Sequence, residues 1–97
     1  MFKLEVILTT YTVSYDLNKE KDYARLLNEL RRLNGVRVQA SYWLVAVSNT
    51  AEELHNHLKT FVDKDDALWV SEVVRNNYYS NAIKGTNDFL SRNPPSR

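Results

Sequence analysis

Cysteine is absent from the 97 residues, which excludes a disulfide framework, a thiol nucleophile and any cysteine-ligated zinc site. Glycine and proline occur only twice each, so turns are few and the elements between them must be long. No apolar run comes near the ~18–20 residues that a membrane span needs, and no membrane partner is expected. Nor is one sign of charge in excess. Thirteen Lys and Arg against twelve Asp and Glu leave a net of +1, which excludes a strongly cationic nucleic-acid binder. Residues 1–8 lack the basic start and long apolar stretch of a secretion leader, so a cytoplasmic protein is expected. What is present is ordinary globular composition, 43% hydrophobic and 26% charged. A chain of this length makes one domain and buries only ~60–65% of the surface its unfolded form exposes. Oligomerisation is the usual compensation at this size.

Residues 4–17 are dense in Val, Ile, Thr and Tyr, which suit a pleated surface. Tyr11, Val13, Tyr15 and Leu17 alternate with Thr12, Ser14 and Asp16, predicting a strand with one covered and one open face. Residues 1–8 either extend that strand or form a separate edge piece. The period then changes: Tyr23, Leu26, Leu27, Leu30 and Leu33 make one apolar stripe on a helix. Glu20 and Asp22 near its start and Arg31 and Arg32 in its last turn match the helix dipole. Asn34-Gly35 stops it, with the glycine expected in the left-handed conformation.

Residues 36–47 read as two strands joined by a tight turn at Gln39-Ala40-Ser41. Thr50-Ala51-Glu52-Glu53 is a capping box, and the helix it opens carries Leu54, Leu58, Phe61 and Val62 on one side. Asp63-Lys64-Asp65-Asp66 ends it in a charged turn, and residues 68–74 form a last strand. The order βαββαβ, with one apolar stripe per helix, predicts a ferredoxin-like two-layer α+β sandwich over residues 1–84. Its antiparallel sheet has both helices on one face. Residues 78–83 are a candidate extra C-terminal strand, and residues 85–97 read as a polar, disordered tail.

Two stretches together resemble a known pattern. Tyr11-Thr12-Val13-Ser14-Tyr15-Asp16-Leu17 precedes a helix, and Gly35-Val36-Arg37-Val38-Gln39-Ala40-Ser41-Tyr42-Trp43-Leu44 follows it. They resemble the small CRISPR-associated Cas2 family and its relatives, virulence-associated protein D and the SinR-like proteins. In those, a first strand ends in Tyr-Asp and a later one carries Arg-x-Gln-x-Ser and an aromatic. Asp16-Leu17-Asn18, Asp22-Tyr23, Trp43-Leu44-Val45 and Asp63-Lys64-Asp65-Asp66-Ala67-Leu68 are most similar to the SinR-like branch. The resemblance spans residues 10–74. It implies a ferredoxin-like fold, a homodimer and, in some members, magnesium-dependent cleavage of RNA or DNA. It maps the metal-binding and catalytic aspartate to Asp16, with Lys19, Arg25, Arg37 and Ser41 as nucleic-acid contacts. The basic cluster after Tyr-Asp is thin here, and Tyr42-Trp43-Leu44 stands where a Val-Phe-Glu type sequence is common.

A single carboxylate is a poor magnesium site, but a twofold axis close to Asp16 would bring two to one ion. The competing role for Asp16 is a cap on the following helix. His55 and His57, two apart on a helix, do not face each other and read as surface residues. Asp63, Asp65 and Asp66 lack the glycine and closing glutamate of a calcium loop and read as a solvated turn. Trp43 and Trp69 are expected in the core or in a dimer interface. From Arg75 onward four basic residues stand against one acidic, so the tail is a further candidate contact for nucleic acid. Two functions from different classes follow: a metal-dependent nuclease using Asp16 across a dimer axis, or a non-catalytic dimeric scaffold or antitoxin-like module that binds a protein partner.

Overall fold

A computed structural model describes residues 7–97, with backbone alone at 20–22; the expectations for residues 1–6 and for the side chains of Glu20 and Asp22 lie outside the described residues. The elements are β1 (Thr9–Asp16), α1 (Glu20–Arg32), β2 (Val36–Gln39), β3 (Tyr42–Val47), α2 (Ala51–Lys59), β4 (Ala67–Glu72) and α3 (Thr86–Arg92). The strands form one antiparallel sheet in the order β2-β3-β1-β4. This is the ferredoxin-like sandwich, and the turn at residues 40–41 separates β2 from β3 as the sequence predicts.

The alternation of β1 decides which side chains meet. Directly opposed residues in an antiparallel pair share a face. Val13 lies opposite Trp43 and Val70, and Tyr11 and Tyr15 opposite Val45 and Leu68 respectively. These residues pack under α1 and α2 with Leu26, Leu30, Leu54 and Leu58, all fully or nearly fully buried. The capping box at Thr50 is formed: its hydroxyl accepts from the Glu53 amide, and the Glu53 carboxylate accepts from the Thr50 amide. At the end of α1 the left-handed residue is Asn34 (φ 61°), not Gly35. The Gly35 amide donates to the Leu30 carbonyl at 2.8 Å and that of Asn34 to Arg31 at 2.9 Å, which satisfies the last carbonyls of the helix. Gly35 is there for closeness: a Cβ on it would sit 2.9 Å from the Leu30 oxygen.

The second face departs from expectation. Residues 85–97 are not a disordered tail and residues 78–83 are not a strand. Gly85 (φ 104°) opens α3, which lays Phe89 onto Val38, Leu44 and Val73, with Leu90 beside it. The buried Thr10 hydroxyl donates to the Asn93 carbonyl at 2.8 Å, and the Ile83 amide donates to Val38. Two apolar residues in a polar stretch suffice because the strands beneath them present an apolar patch for them to cover.

Glu29 ties the two outer helices together. Its buried carboxylate takes both Arg32 Nε and Nη2 at 2.6 Å, and it pairs with His57 Nε2 of α2. His57 is therefore not a bystander on the surface. The Arg32 hydrogen bonds, opposed by burial and aided by His57, hold the Glu29 pKa at about 2 rather than 4.5. A carboxylate with a depressed folded pKa contributes stability above its unfolded value, and that stability is lost as the pH falls through the folded one.

Two outcomes check this arrangement. Leu26→Ala and Leu30→Ala, each emptying a fully buried site, should cost about 2–5 kcal/mol in denaturant titrations. In melts recorded between about pH 5 and pH 2, the parent should lose more stability than Glu29→Gln, whose pH dependence flattens over the interval from 4.5 to about 2.

Candidate functional site

Asp16 is the last residue of β1 and lies on the face away from α1 and α2, exposed to solvent. Thr12, Ser14 and Asp16 share this face with Trp69 and Ser71 of β4, which lie opposite Ser14 and Thr12. The Thr12 hydroxyl donates to the Ser71 carbonyl at 3.2 Å and lies 3.0 Å from the Ser71 hydroxyl. Trp69 is 71% exposed, whereas Trp43 is a core residue. The Asp16 carboxylate has no hydrogen-bond or ion partner among the described residues. It is not the cap of α1: the N-cap is Lys19, whose side chain makes no capping hydrogen bond.

The loop that follows Asp16 is fixed by a residue the sequence reading misjudged. Asp66 is buried, and its two carboxylate oxygens accept the amides of Asn18 and Asp63, each at 2.8 Å. The Asn18 side chain adds a bond to the Asp65 carbonyl, and Lys19 pairs with Asp63 at 3.3 Å. The acidic turn is thus a clamp joining the β1–α1 and α2–β4 connections, not a solvated loop. It sets the backbone immediately beyond Asp16.

The other expected contact residues do not form one site. Lys19 lies three residues beyond Asp16 in that clamped loop, paired with Asp63. Ser41, at the tip of the β2–β3 hairpin, accepts the Tyr15 amide at 3.3 Å and so lies at the same end of the sheet. Arg25 donates to the Thr60 carbonyl at 3.2 Å, between α1 and the end of α2. Arg37 lies opposite Trp43 and so on the helical face, away from the face that carries Asp16.

Among the described residues no three His, Asp or Glu side chains converge to hold a metal ion. Among the described residues one chain supplies one carboxylate here, and magnesium is bound through one or two carboxylates with water and phosphate oxygens filling the remainder. The donor set fits that ion only when a second carboxylate or a substrate phosphate joins it.

Comparison with known proteins agrees with the fold. The fold is shared with the crystal structure of a hypothetical protein from Thermus thermophilus. The TM-score is 0.63, over 77% of this chain and 94% of that one, at 24% sequence identity. The family model of the CRISPR associated protein Cas2 matches residues 9–82. That span holds all four strands, both helices of the sandwich and the Tyr15-Asp16 strand end. The chain belongs to the CRISPR-associated Cas2 family.

Proposed function

We propose that this protein is a homodimeric, metal-dependent nuclease centred on Asp16 of each protomer. The observation that carries this reading is a carboxylate that is exposed, without a partner among the described residues and held at a rigid strand end. A carboxylate kept in that state has no structural role to explain it, and negative charge on an open sheet face suits a divalent cation shared between two copies. Magnesium bound there would draw charge from the phosphate oxygens and acidify a water that attacks the phosphodiester. Lys19 and Ser41 flank the same sheet end and would hold the phosphate backbone, of RNA or of DNA, against it.

The open face supports the dimer. Trp69 stands exposed on it, and a groove of about 330 Å³ lined by Tyr42, Leu44, Tyr78 and Tyr79 continues it toward α3. Exposed aromatic surface of this kind marks an interaction site, and a second copy of the same face would cover it. A dissociation constant of about 1 μM, worth roughly 8 kcal/mol, would leave the protein mostly paired at tens of micromolar. Light scattering at that concentration should report a dimer, and Trp69→Glu should shift it to monomer.

Catalysis is tested with labelled RNA and duplex DNA, with magnesium or manganese and with EDTA. Metal-dependent cleavage is expected, and Asp16→Asn should abolish it while leaving the melting temperature within a few degrees or raising it, since like charges near a twofold axis repel. Cleavage that survives Asp16→Asn would remove Asp16 from the site. No cleavage by the parent would favour the non-catalytic dimeric module.

A further inference from the structure

Asp16 stands where the sheet runs out. On the β3 side the register ends with Ser14 opposite Tyr42, followed by a 3.3 Å bond from the Tyr15 amide to the Ser41 carbonyl. On the other side β4 reaches further, with Ala67 opposite Asp16. A strand end paired on one side opens easily unless the chain beyond it is tied down.

The residue before Ala67 supplies the tie. Asp66 Oδ1 accepts the Asn18 amide at 2.8 Å, so Asp66 and Ala67 hold the chain on both sides of the buried Leu17. Asp66 is itself locked into its turn in both directions. Its Oδ2 accepts the Asp63 amide at 2.8 Å, and its own amide donates to the Asp63 carbonyl at 3.1 Å. The Asn18 side chain adds a 3.1 Å bond to the Asp65 carbonyl. Residues 16–18 therefore hang from a turn that closes on itself.

Closing a turn does not by itself call for this bond. Asn18 is exposed, so water could serve its amide, and a carboxylate only 8% exposed costs free energy to bury. Two amide donors offset that cost, and what the arrangement adds is a fixed course for the chain leaving Asp16. Magnesium demands near-ideal octahedral geometry, and a misplacement of ~1 Å can cost about 100-fold in rate. We infer that Asp66 is a positioning residue for Asp16, holding the strand end through the Asn18 amide so that the Asp16 carboxylate can serve a divalent cation. This rests on the nuclease reading and adds to it a residue that touches neither metal nor substrate.

Three variants separate this role from plain stability. Asp66→Asn keeps one amide acceptor, Asp66→Ala keeps none, and Leu30→Ala loses stability in the core, away from the loop. Manganese is titrated into each while the ¹H–¹⁵N resonances of Asp16, Asn18 and the Trp69 indole, on the same face, are followed for broadening. The Trp43 indole, in the core, reports that the variant is folded. In the parent the broadening should saturate and should vanish in Asp16→Asn. Both Asp66 variants should need about tenfold or more manganese, the usual loss when a ligand's supporting partner is removed, and cleavage should fall with it. In EDTA their Asn18 amide resonance should move, since its carboxylate acceptor is changed. Leu30→Ala should melt lower yet respond to manganese as the parent does. If Asp66→Ala does not fold, Asp66→Asn decides. Folded Asp66 variants that bind manganese and cleave like the parent would overturn the role and leave the nuclease reading standing. An equal loss of manganese binding in Leu30→Ala would overturn it too, by assigning the effect to stability. A parent without broadening, or with broadening that survives Asp16→Asn, would overturn both, because Asp66 would have no site to serve.

Discussion

Everything in this molecule hangs on the two-residue period of β1. As one of the two interior strands, paired with β3 and β4, it sorts the chain into two faces. Tyr11, Val13 and Tyr15 anchor one core under α1 and α2, and Thr10 anchors α3 on the other side. A slip of one residue would send the tyrosines to solvent and bury Asp16 under the helices. The same alternation that builds the core therefore exposes the candidate catalytic carboxylate and turns the Tyr15 hydroxyl toward the Trp43 indole, which donates to it. Core and site are two sides of one strand.

Wherever a periodic pattern carried the information, the fold was legible. The stripe through Leu26 and Leu30, the box at Thr50 and the alternation of β1 each rest on residues spaced by the geometry of a single element, and each holds in the structure. Function was less legible because it depends on contacts between elements. Glu29 sits inside the apolar stripe of α1, one position before Leu30, and that misplaced carboxylate was a visible sign that a partner must come from elsewhere. The identity of that partner, His57, required knowing how α1 lies against α2. Asp66 was hidden among three aspartates of one turn, and only the amides of Asn18 and Asp63 distinguish it.

The candidate contacts show the same limit. Lys19 and Ser41 belong to the end of the sheet that holds Asp16, while Arg37, close to Ser41 in sequence, rises on the other face with Arg31. In β2 an irregularity between Arg37 and Gln39 changes the register, so counting residues along the strand does not tell which face each one serves. Phe89 was missed for a related reason. A lone aromatic in a polar stretch carries no period, and its value comes from the patch made by Val38, Leu44 and Val73.

The placement of α3 also sets an order of events during synthesis. The hydroxyl of Thr10 and the carbonyl of Asn93 are 83 positions apart in the chain. Until residues 86–92 have emerged, Val38, Leu44 and Val73 stay open to water on a sheet whose other face can already be closed. Contacts so distant in sequence form slowly, and an apolar sheet face that waits uncovered is prone to pair with its like. The interval between completing β4 and docking Phe89 is therefore when a newly made chain is most exposed to misassembly.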